Sequence, residues 1–315
     1  MRRFGASGES GPRMSRATFL RLMAGSAALL TGGVGPAAAE PLRSRAIPSS
    51  GEMLPVIGLG TARAFDIGPD PDGRAQRAAV LRALLDGGAT VIDTSPMYGR
   101  AETVIGELLG EIGAVDRPFL ATKVWTRGAA KGVAQMEASL GKLRRQRLEL
   151  MQVHNLLDWR THLKTLRAWR EAGRVRYIGI THYTSGALDD LARVIDNEPL
   201  DFVQLAYSLA ERDAARHVLP LAAERGVAVL VNRPFGAGAM FRRISGQSPP
   251  AWAGDFDCAS WGQFFLKYIL SHPAVTCAIP ATRKAAHMAD NLGAARGRLP
   301  DATQRRRMER LWASL

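Results

Sequence analysis

The sequence predicts a single α/β domain of the (β/α)8, or TIM barrel, type. Apolar runs typical of buried strands alternate with amphipathic segments along the chain after residue 51. Eight such runs occur, and repeated strand–helix units favour a parallel sheet closed into a barrel. A barrel of this type needs about 250 residues, so 315 residues accommodate one barrel and an N-terminal extension.

The elements follow one another regularly. The strand-like runs are PVIGLGT, TVIDTS, FLATKVW, LELMQVHN, RVRYIGITHY, FVQLAYS, VAVLVNRPF and AVTCAIPA. Several helical segments between them end at a glycine, such as Gly87, Gly173 or Gly226, which is typical of a helix C-terminus. An extra C-terminal helix is predicted over residues 302–314. Residues 242–257 interrupt the alternation of strands and helices. They form either a loop that shapes the barrel mouth or a disordered insertion.

Residues 1–39 are predicted to be an export signal. Arginines precede a moderately apolar stretch rich in Gly and Ala, and residues 37–39 offer a cleavage site before Glu40. The segment SRATFLR resembles a twin-arginine signal, with Ala17 in place of the second arginine. The stretch is too short and too weakly apolar for a membrane span of about 20 residues. We expect a periplasmic protein, a cytoplasmic one being the alternative, with a linker over residues 40–51 and the barrel over 52–315.

Composition limits the classes of partner and site. The net charge of +13 comes mostly from scattered arginines with few interleaved aromatics, so we expect no nucleic-acid partner. The only two cysteines, Cys258 and Cys277, exclude a disulfide framework and a thiolate zinc site, although one disulfide between them stays open. The histidines lack metal-ligand spacing, so no metal is expected.

Four residues form a coherent chemical set. Asp93, Lys123 and His154 each end a strand-like run, and Tyr98 follows Asp93 in the next loop. Strand ends of a barrel gather such groups at one face. A tyrosine is a weak acid with a pKa of about 10, and a neighbouring ammonium favours its phenolate. A carboxylate holds the lysine, and a histidine can hydrogen-bond a substrate oxygen.

These motifs resemble the aldo-keto reductase superfamily over about residues 52–300. The resemblance implies an NAD(P)H-dependent reductase of aldehydes or ketones in which Tyr98 is the general acid. It implies further that Lys123 lowers the pKa of Tyr98, that Asp93 pairs with Lys123 and that His154 orients the carbonyl group. The alternative is a regulatory or scaffold subunit that binds NADP without useful turnover, since a fold alone does not determine function.

The resemblance also implies a nicotinamide nucleotide site. According to the resemblance, GLGT lies under the nicotinamide ribose, and the segment around residue 181 binds the carboxamide together with Gln204. RPFGAGAMF binds the pyrophosphate, and IPATRKAAHMADN binds the adenosine phosphate. Tyr207 stacks on the nicotinamide, or is a core aromatic. Arg283 favours NADPH over NADH, although Ala281 and His287 depart from the family's pattern. The implied residues are Gly60, Thr61, Thr181, His182, Gln204, Tyr207, Arg233, Pro234, Phe235, Gly236, Gly238, Thr282, Arg283, Asp290 and Asn291.

The substrate is expected to be a small carbonyl compound that enters an apolar mouth. The side chains predicted to line this mouth are Met97, Trp125, Trp252 and Phe256. Such contacts accept many carbonyl compounds, so the sequence names no single substrate.

Overall fold

Eight parallel strands close into a barrel in the computed structural model, which describes residues 40–315. Each strand pairs with the next in chain order, and bridges from Ile57 to Ala278 and from Gly60 to Ala281 join the first strand to the last. The predicted export signal at residues 1–39 lies outside the described residues. The barrel strands are β3 (Leu59–Gly60), β4 (Val91–Asp93), β5 (Phe119–Val124), β6 (Leu148–His154), β7 (Val175–Thr181), β8 (Phe202–Ala206), β9 (Ala228–Asn232) and β10 (Cys277–Ala278).

Helices connect the strands and cover the outside of the barrel. Local capping fixes several of their ends: the Asp70 carboxylate accepts from the Gly73 N–H at 3.1 Å, and Asp301 and Gln304 form a capping box. The helices are α1 (Pro71–Asp86), α2 (Ala101–Glu111), α3 (Ala129–Lys142), α4 (Trp159–Glu171), α5 (Leu188–Asn197), α6 (Val218–Glu224), α7 (Ala239–Arg243), α8 (Trp261–Leu270), α9 (Ala285–Gly293) and α10 (Ala302–Ser314).

Residues 44–55, which include most of the segment predicted to be a linker, form part of the barrel floor. Strands β1 (Ser44–Ala46) and β2 (Met53–Pro55) make an antiparallel hairpin. Ile47 and Leu54 of this hairpin segment are buried in one apolar cluster with barrel residues such as Phe119 and Phe202. The hairpin therefore closes the amino-terminal end of the barrel, opposite the face where the strands end.

Gly60 is required where the barrel closes. A Cβ atom at this position would lie 2.7 Å from the carbonyl oxygen of Ile279, a backbone atom that cannot move aside. The Gly60 N–H donates to the Pro280 carbonyl at 3.1 Å across the same junction. The GLGT motif thus has a structural reason that is independent of any ligand.

The segment at residues 242–257 is an ordered loop with a 3-10 turn at Ala251–Phe256. Its aromatics pack onto the helices: Phe256 is fully buried, and Trp252 makes an edge-on contact with Phe264 of α8. Arg307 of α10 lies 4.3 Å from the centre of the Trp252 ring. The fully buried Phe256 does not line an open mouth in this structure, whereas the prediction for the half-buried Trp252 stays a prediction.

Two further properties concern the described part of the chain. Cys258 and Cys277 are both free thiols, so the possible disulfide does not form in this structure. Within residues 40–315, every helix falls short of the length and apolar character that crossing a bilayer requires.

Candidate active site

A buried ion pair lies at the carboxyl ends of neighbouring strands. Lys123 Nζ on β5 donates to Asp93 Oδ2 on β4 at 2.7 Å and to the Thr94 carbonyl at 2.7 Å. The Lys123 side chain is wholly excluded from solvent and that of Asp93 is 3% exposed. Burial opposes the charge on Lys123, but Asp93 and Tyr98 outweigh it, so the pKa of Lys123 is raised. The ammonium is therefore charged at neutral pH.

Tyr98 lies directly beside this ammonium. Lys123 Nζ is 5.2 Å from the centre of the Tyr98 ring. Burial raises the pKa of Tyr98 above its ordinary value, and the charge of Lys123 opposes this shift without cancelling it. Lys123 thus acts to lower the pKa of Tyr98, as predicted, but burial outweighs it and the pKa of Tyr98 is not lowered overall. At neutral pH the phenol keeps its proton, as a proton donor must.

His154 completes the group beside Tyr98. Its ring is 6.0 Å from the Tyr98 ring, centre to centre, at an angle of 87°. Burial, followed by the charges of Lys123 and His182, lowers the pKa of His154 to about 3. The imidazole is therefore neutral at physiological pH and offers one N–H donor and one acceptor nitrogen. The structure brings all four predicted catalytic residues to one end of the barrel.

Side-chain amides surround the ion pair, and the sequence analysis missed two of them, Gln152 and Asn232. Gln204 Nε2 donates to Asp93 Oδ1 at 2.7 Å, and Gln152 Nε2 donates to the same oxygen at 3.2 Å. Asn232 Nδ2 lies 3.4 Å from Gln204 Oε1. The sequence signal for Gln152 and Asn232 is strand alternation, because residues two positions apart in a strand point to the same face of the sheet. Leu150 and Leu230 face the barrel interior, so Gln152 and Asn232 do as well.

The predicted carboxamide-binding residues lie together beside this network. Thr181 Oγ1 donates to Gln204 Oε1 at 3.3 Å. His182 Nδ1 accepts from the Tyr183 and Thr184 N–H groups at 3.1 and 3.3 Å, which leaves Nε2 as the donor nitrogen. Gln204 is engaged with Asp93 rather than free.

The predicted phosphate-binding segments are loops on the strand-end side of the barrel. Arg233, Gly236, Ala237 and Gly238 all have positive φ angles, and runs of this kind form backbone concavities that bind anions. The Arg233 and Arg283 side chains are exposed, and among residues 40–315 neither lies within 4.0 Å of a carboxylate. Pro234 is buried, and the Phe235 ring packs against Phe241 and Phe265.

Other predicted nucleotide-binding residues are engaged within the protein. The Thr61 hydroxyl is buried and donates to the Asp93 carbonyl at 2.9 Å. The Asp290 carboxylate accepts from Ser260 Oγ at 2.7 Å and from Gln263 Nε2 at 2.9 Å, which ties α9 to α8. The Thr282 hydroxyl accepts from the Lys284 N–H at 3.2 Å, and Asn291 is buried in α9.

Tyr207 does not lie open to a nicotinamide ring. It is fully buried, and its ring packs 6.0 Å from that of Tyr268 and 5.7 Å from that of His272. Arg305 of α10 donates to its hydroxyl at 2.8 Å. The stacking prediction is therefore corrected in favour of the core aromatic. Tyr207 is an odd number of residues from Gln204, so strand alternation points the two to opposite faces.

Two apolar side chains near the site are exposed to solvent. Met97 is 44% exposed and Trp125 is 37% exposed, both in loops that follow site strands, and their role in a substrate mouth stays a prediction. Within residues 40–315, no three His, Cys, Asp or Glu side chains gather as metal ligands would.

Known proteins share this arrangement of sequence and fold. Methylglyoxal reductase YeaE of Escherichia coli (strain K12) is 28% identical over 260 residues, which cover 79% of this chain and 89% of the relative. Aldo-keto reductase YhdN of Bacillus subtilis (strain 168) is 31% identical over 193 residues, 56% of each protein.

Solved structures give the same result. An aldo-keto reductase of Klebsiella pneumoniae in complex with NADPH superposes with a TM-score of 0.72 at 26% identity, covering 87% of this chain and 96% of that one. A Klebsiella pneumoniae aldo/keto reductase with NADP and acetate gives 0.70 at 27% identity, covering 83% and 93%. The sequence profile of the Aldo/keto reductase family matches residues 56–312. The chain therefore belongs to the aldo/keto reductase family.

Proposed function

We propose that the protein reduces an aldehyde or ketone to the alcohol with NADPH, and that Tyr98 supplies the proton. The observation that carries the proposal is the convergence of Tyr98, His154 and the buried Lys123–Asp93 pair at one end of the barrel. Family membership and relatives that bind NADP or NADPH support it.

The residues present fit a dinucleotide at this end of the barrel. Asn232 Oδ1 is buried beside Gln204 and has no hydrogen-bond partner among the described residues, so it is an acceptor available to an amide N–H. The 233–238 loop offers curled backbone and the exposed Arg233 guanidinium to a pyrophosphate. Arg283, whose Nη2 donates to the Arg63 carbonyl at 3.0 Å, offers its exposed guanidinium to a 2′-phosphate. When bound, NADPH supplies the hydride.

The protein's own groups handle the proton and the charge that develops on oxygen. Tyr98 holds a proton at neutral pH, and the Lys123 ammonium stabilises the phenolate that remains after proton transfer. Asp93, fixed by two amide donors, keeps Lys123 in place. Neutral His154 donates a hydrogen bond to the carbonyl oxygen and thereby positions it toward Tyr98.

The substrate class follows from the mouth. Met97, Trp125 and Tyr183 are exposed apolar or aromatic side chains near the site, which suit the hydrocarbon part of a carbonyl compound. The Escherichia coli relative is named for methylglyoxal, a small dicarbonyl, so methylglyoxal is the first compound to test.

The test is NADPH oxidation by residues 40–315 against methylglyoxal, aldehydes, other dicarbonyls and ketosteroids. We expect multiple turnovers, and a fall in kcat of about 10²- to 10⁴-fold for Tyr98→Phe, because the general acid is lost. NADPH fluorescence quenching serves as the binding control and should be unchanged. Binding without turnover of any carbonyl would instead support a scaffold subunit, and a Tyr98→Phe enzyme of near wild-type rate would remove the assigned acid.

We propose further that residues 1–39 direct export to the periplasm. Support comes from the basic segment, the Ala-rich stretch and the cleavage motif, and from a folded unit that begins at Glu40. Cell fractionation with N-terminal sequencing of the mature protein tests this. A periplasmic protein that begins at Glu40 is the expected result, and a cytoplasmic protein that retains Met1 would refute the proposal.

A further inference from the structure

The buried hydroxyl of Ser95 connects His154 with the loop that carries Tyr98. Ser95 is fully buried, and its Oγ lies 3.1 Å from His154 Nδ1 and 3.1 Å from the backbone nitrogen of Met97. The Tyr98 N–H donates to the Ser95 carbonyl at 3.0 Å. One residue thus contacts both the imidazole and the turn that presents the phenol.

The hydrogen-bond count at Ser95 sets the direction of each bond. A serine hydroxyl has one proton to donate and can also accept. The Met97 N–H is a donor, so Oγ accepts from it, and the hydroxyl proton needs a different partner. Within residues 40–315, His154 Nδ1 is the acceptor in contact with Oγ. If Nδ1 carried the proton instead, the buried hydroxyl hydrogen would have no acceptor, an arrangement that folded proteins generally avoid.

We propose that Ser95 is a positioning residue that holds His154 in the tautomer with its proton on Nε2. Because a neutral imidazole has one donor and one acceptor nitrogen, an Nδ1 that accepts from Ser95 leaves Nε2 as the N–H donor. Nε2 makes no hydrogen bond within the described part of the chain, so it is free to meet a ligand. In the other tautomer Nε2 would direct a lone pair at a carbonyl oxygen and repel it.

The catalytic consequence rests on the proposed function, whereas the tautomer itself does not. The first measurement is therefore NMR of the protein labelled with 15N-histidine, in which long-range 1H–15N correlations distinguish the two tautomers. The His154 signals among the six histidines are identified by their loss in His154→Gln. We expect a protonated Nε2 and an unprotonated Nδ1 in the wild-type protein.

Variants separate this role from a merely structural one. Ser95→Ala should give a mixture of tautomers, and Ser95→Thr, which keeps the hydroxyl, should restore the wild-type pattern. Ser208→Ala is the matched control, because Ser208 is also a buried serine whose Oγ accepts a backbone N–H, from Glu211 at 3.0 Å, in a turn that contains no catalytic residue. It should leave the His154 signals unchanged.

Kinetics give the second readout. Loss of one oriented donor should lower kcat for the carbonyl about tenfold in Ser95→Ala, with the Kd for NADPH unchanged and recovery in Ser95→Thr. A wild-type His154 protonated on Nδ1, or a Ser95→Ala protein with the wild-type tautomer, would overturn the proposal. If no carbonyl turns over, the proposed function fails, and the NMR result still decides the tautomer.

Discussion

Two tyrosines at opposite ends of the barrel have the same kinds of neighbour. Tyr98, where the strands end, has a cation 5.2 Å from its ring centre in Lys123 and a carboxylate beyond it in Asp93. Tyr177, at the floor, has a cation 5.2 Å from its ring centre in Arg176 and a carboxylate in Glu52.

The two tyrosines differ in the group that accepts the hydroxyl proton. The Tyr177 hydroxyl donates to Glu52 Oε2 at 2.6 Å beneath the β1–β2 hairpin, and burial together with this bond raises its pKa. At the other end the side chains that donate to the Asp93 carboxylate are Lys123, Gln152 and Gln204, and within residues 40–315 the Tyr98 hydroxyl is not among its donors.

This difference shows that residue types alone do not make an acid. At the floor the hydrogen bonds form a closed set, in which the hairpin supplies the carboxylate that holds the proton. At the mouth, Asn232 Oδ1 is buried without a hydrogen-bond partner among residues 40–315. Unfilled hydrogen-bonding capacity, rather than charge, distinguishes the candidate active site from the floor.

The largest expected difference between the two ends follows removal of the cation. Lys123→Met should lower the free energy of unfolding by about 3 kcal/mol or more, because the buried Asp93 carboxylate loses its counter-ion. Arg176→Met should cost about 1 kcal/mol or less, since its side chain and that of Glu52 are each 34% exposed. Urea unfolding measures both.

The comparison also predicts activity. Lys123→Met should abolish most turnover, whereas Arg176→Met should keep wild-type kcat at saturating NADPH and carbonyl substrate. Equal destabilisation by the two substitutions would show that removing the cation from the buried Lys123–Asp93 pair costs no more unfolding free energy than removing it from the Arg176–Glu52 pair.

The second prediction concerns acid sensitivity. The pKa of His154 is about 3 in the folded protein, whereas an unfolded histidine titrates at about 6.5. Below pH 6.5 the unfolded chain binds the proton and the folded chain does not, so stability is lost as the pH falls toward 3. At pH 5 this histidine alone costs about 2 kcal/mol relative to pH 7.

A single substitution isolates this contribution. Burial lowers the pKa of His272 to about 4, so the wild-type protein loses stability from both residues. The loss between pH 7 and pH 5 should be about 2 kcal/mol smaller in His154→Gln than in the wild type. An unchanged slope in His154→Gln would show that this imidazole is protonated in the folded state.

Much of the fold was predictable from periodicity, and its exceptions have physical causes. The eight barrel strands were found because each is an apolar run bounded by turn residues. Helix α8 was missed because all ten of its residues are buried, so it has no polar face to reveal a helical period. The floor hairpin was missed because its strands have only three residues each and include polar and proline residues.

The candidate catalytic set was predictable because three of its titratable residues end strands and Tyr98 lies in the loop after one of them. Gln152 and Asn232 are uncharged and were overlooked, although their alternation with Leu150 and Leu230 places them on the inner face. Trp252 and Phe256 could not be placed from sequence, since an aromatic residue in a loop suits a mouth and a helix surface equally well. Only tertiary packing on α8 decides between the two.

A smaller effect is expected for the nucleotide. Arg283→Ala should weaken NADPH binding about tenfold with little change for NADH, because a guanidinium forms charge-assisted bonds with a 2′-phosphate. Arg310→Ala, an exposed arginine on α10, removes the same charge elsewhere and is the control. Fluorescence titration of both nucleotides measures the ratio. If the ratio of the NADPH and NADH dissociation constants were equal in Arg283→Ala and Arg310→Ala, the preference for NADPH would come from net charge or from another residue.

The smallest effect should come from the floor tyrosine. Tyr177→Phe removes a hydroxyl that donates to Glu52, while Arg176 stays paired with that carboxylate, so the loss in unfolding free energy should be about 1 kcal/mol. Its kcat should equal that of the wild type, in contrast to Tyr98→Phe. A floor substitution that lowers kcat with the protein fully folded would show that the two ends of the barrel are coupled. The closed bonding at the floor argues against this, because the hydrogen-bond partners of Tyr177, Ser50 and Glu52, lie in the hairpin segment beneath it and its cation, Arg176, lies on its own strand.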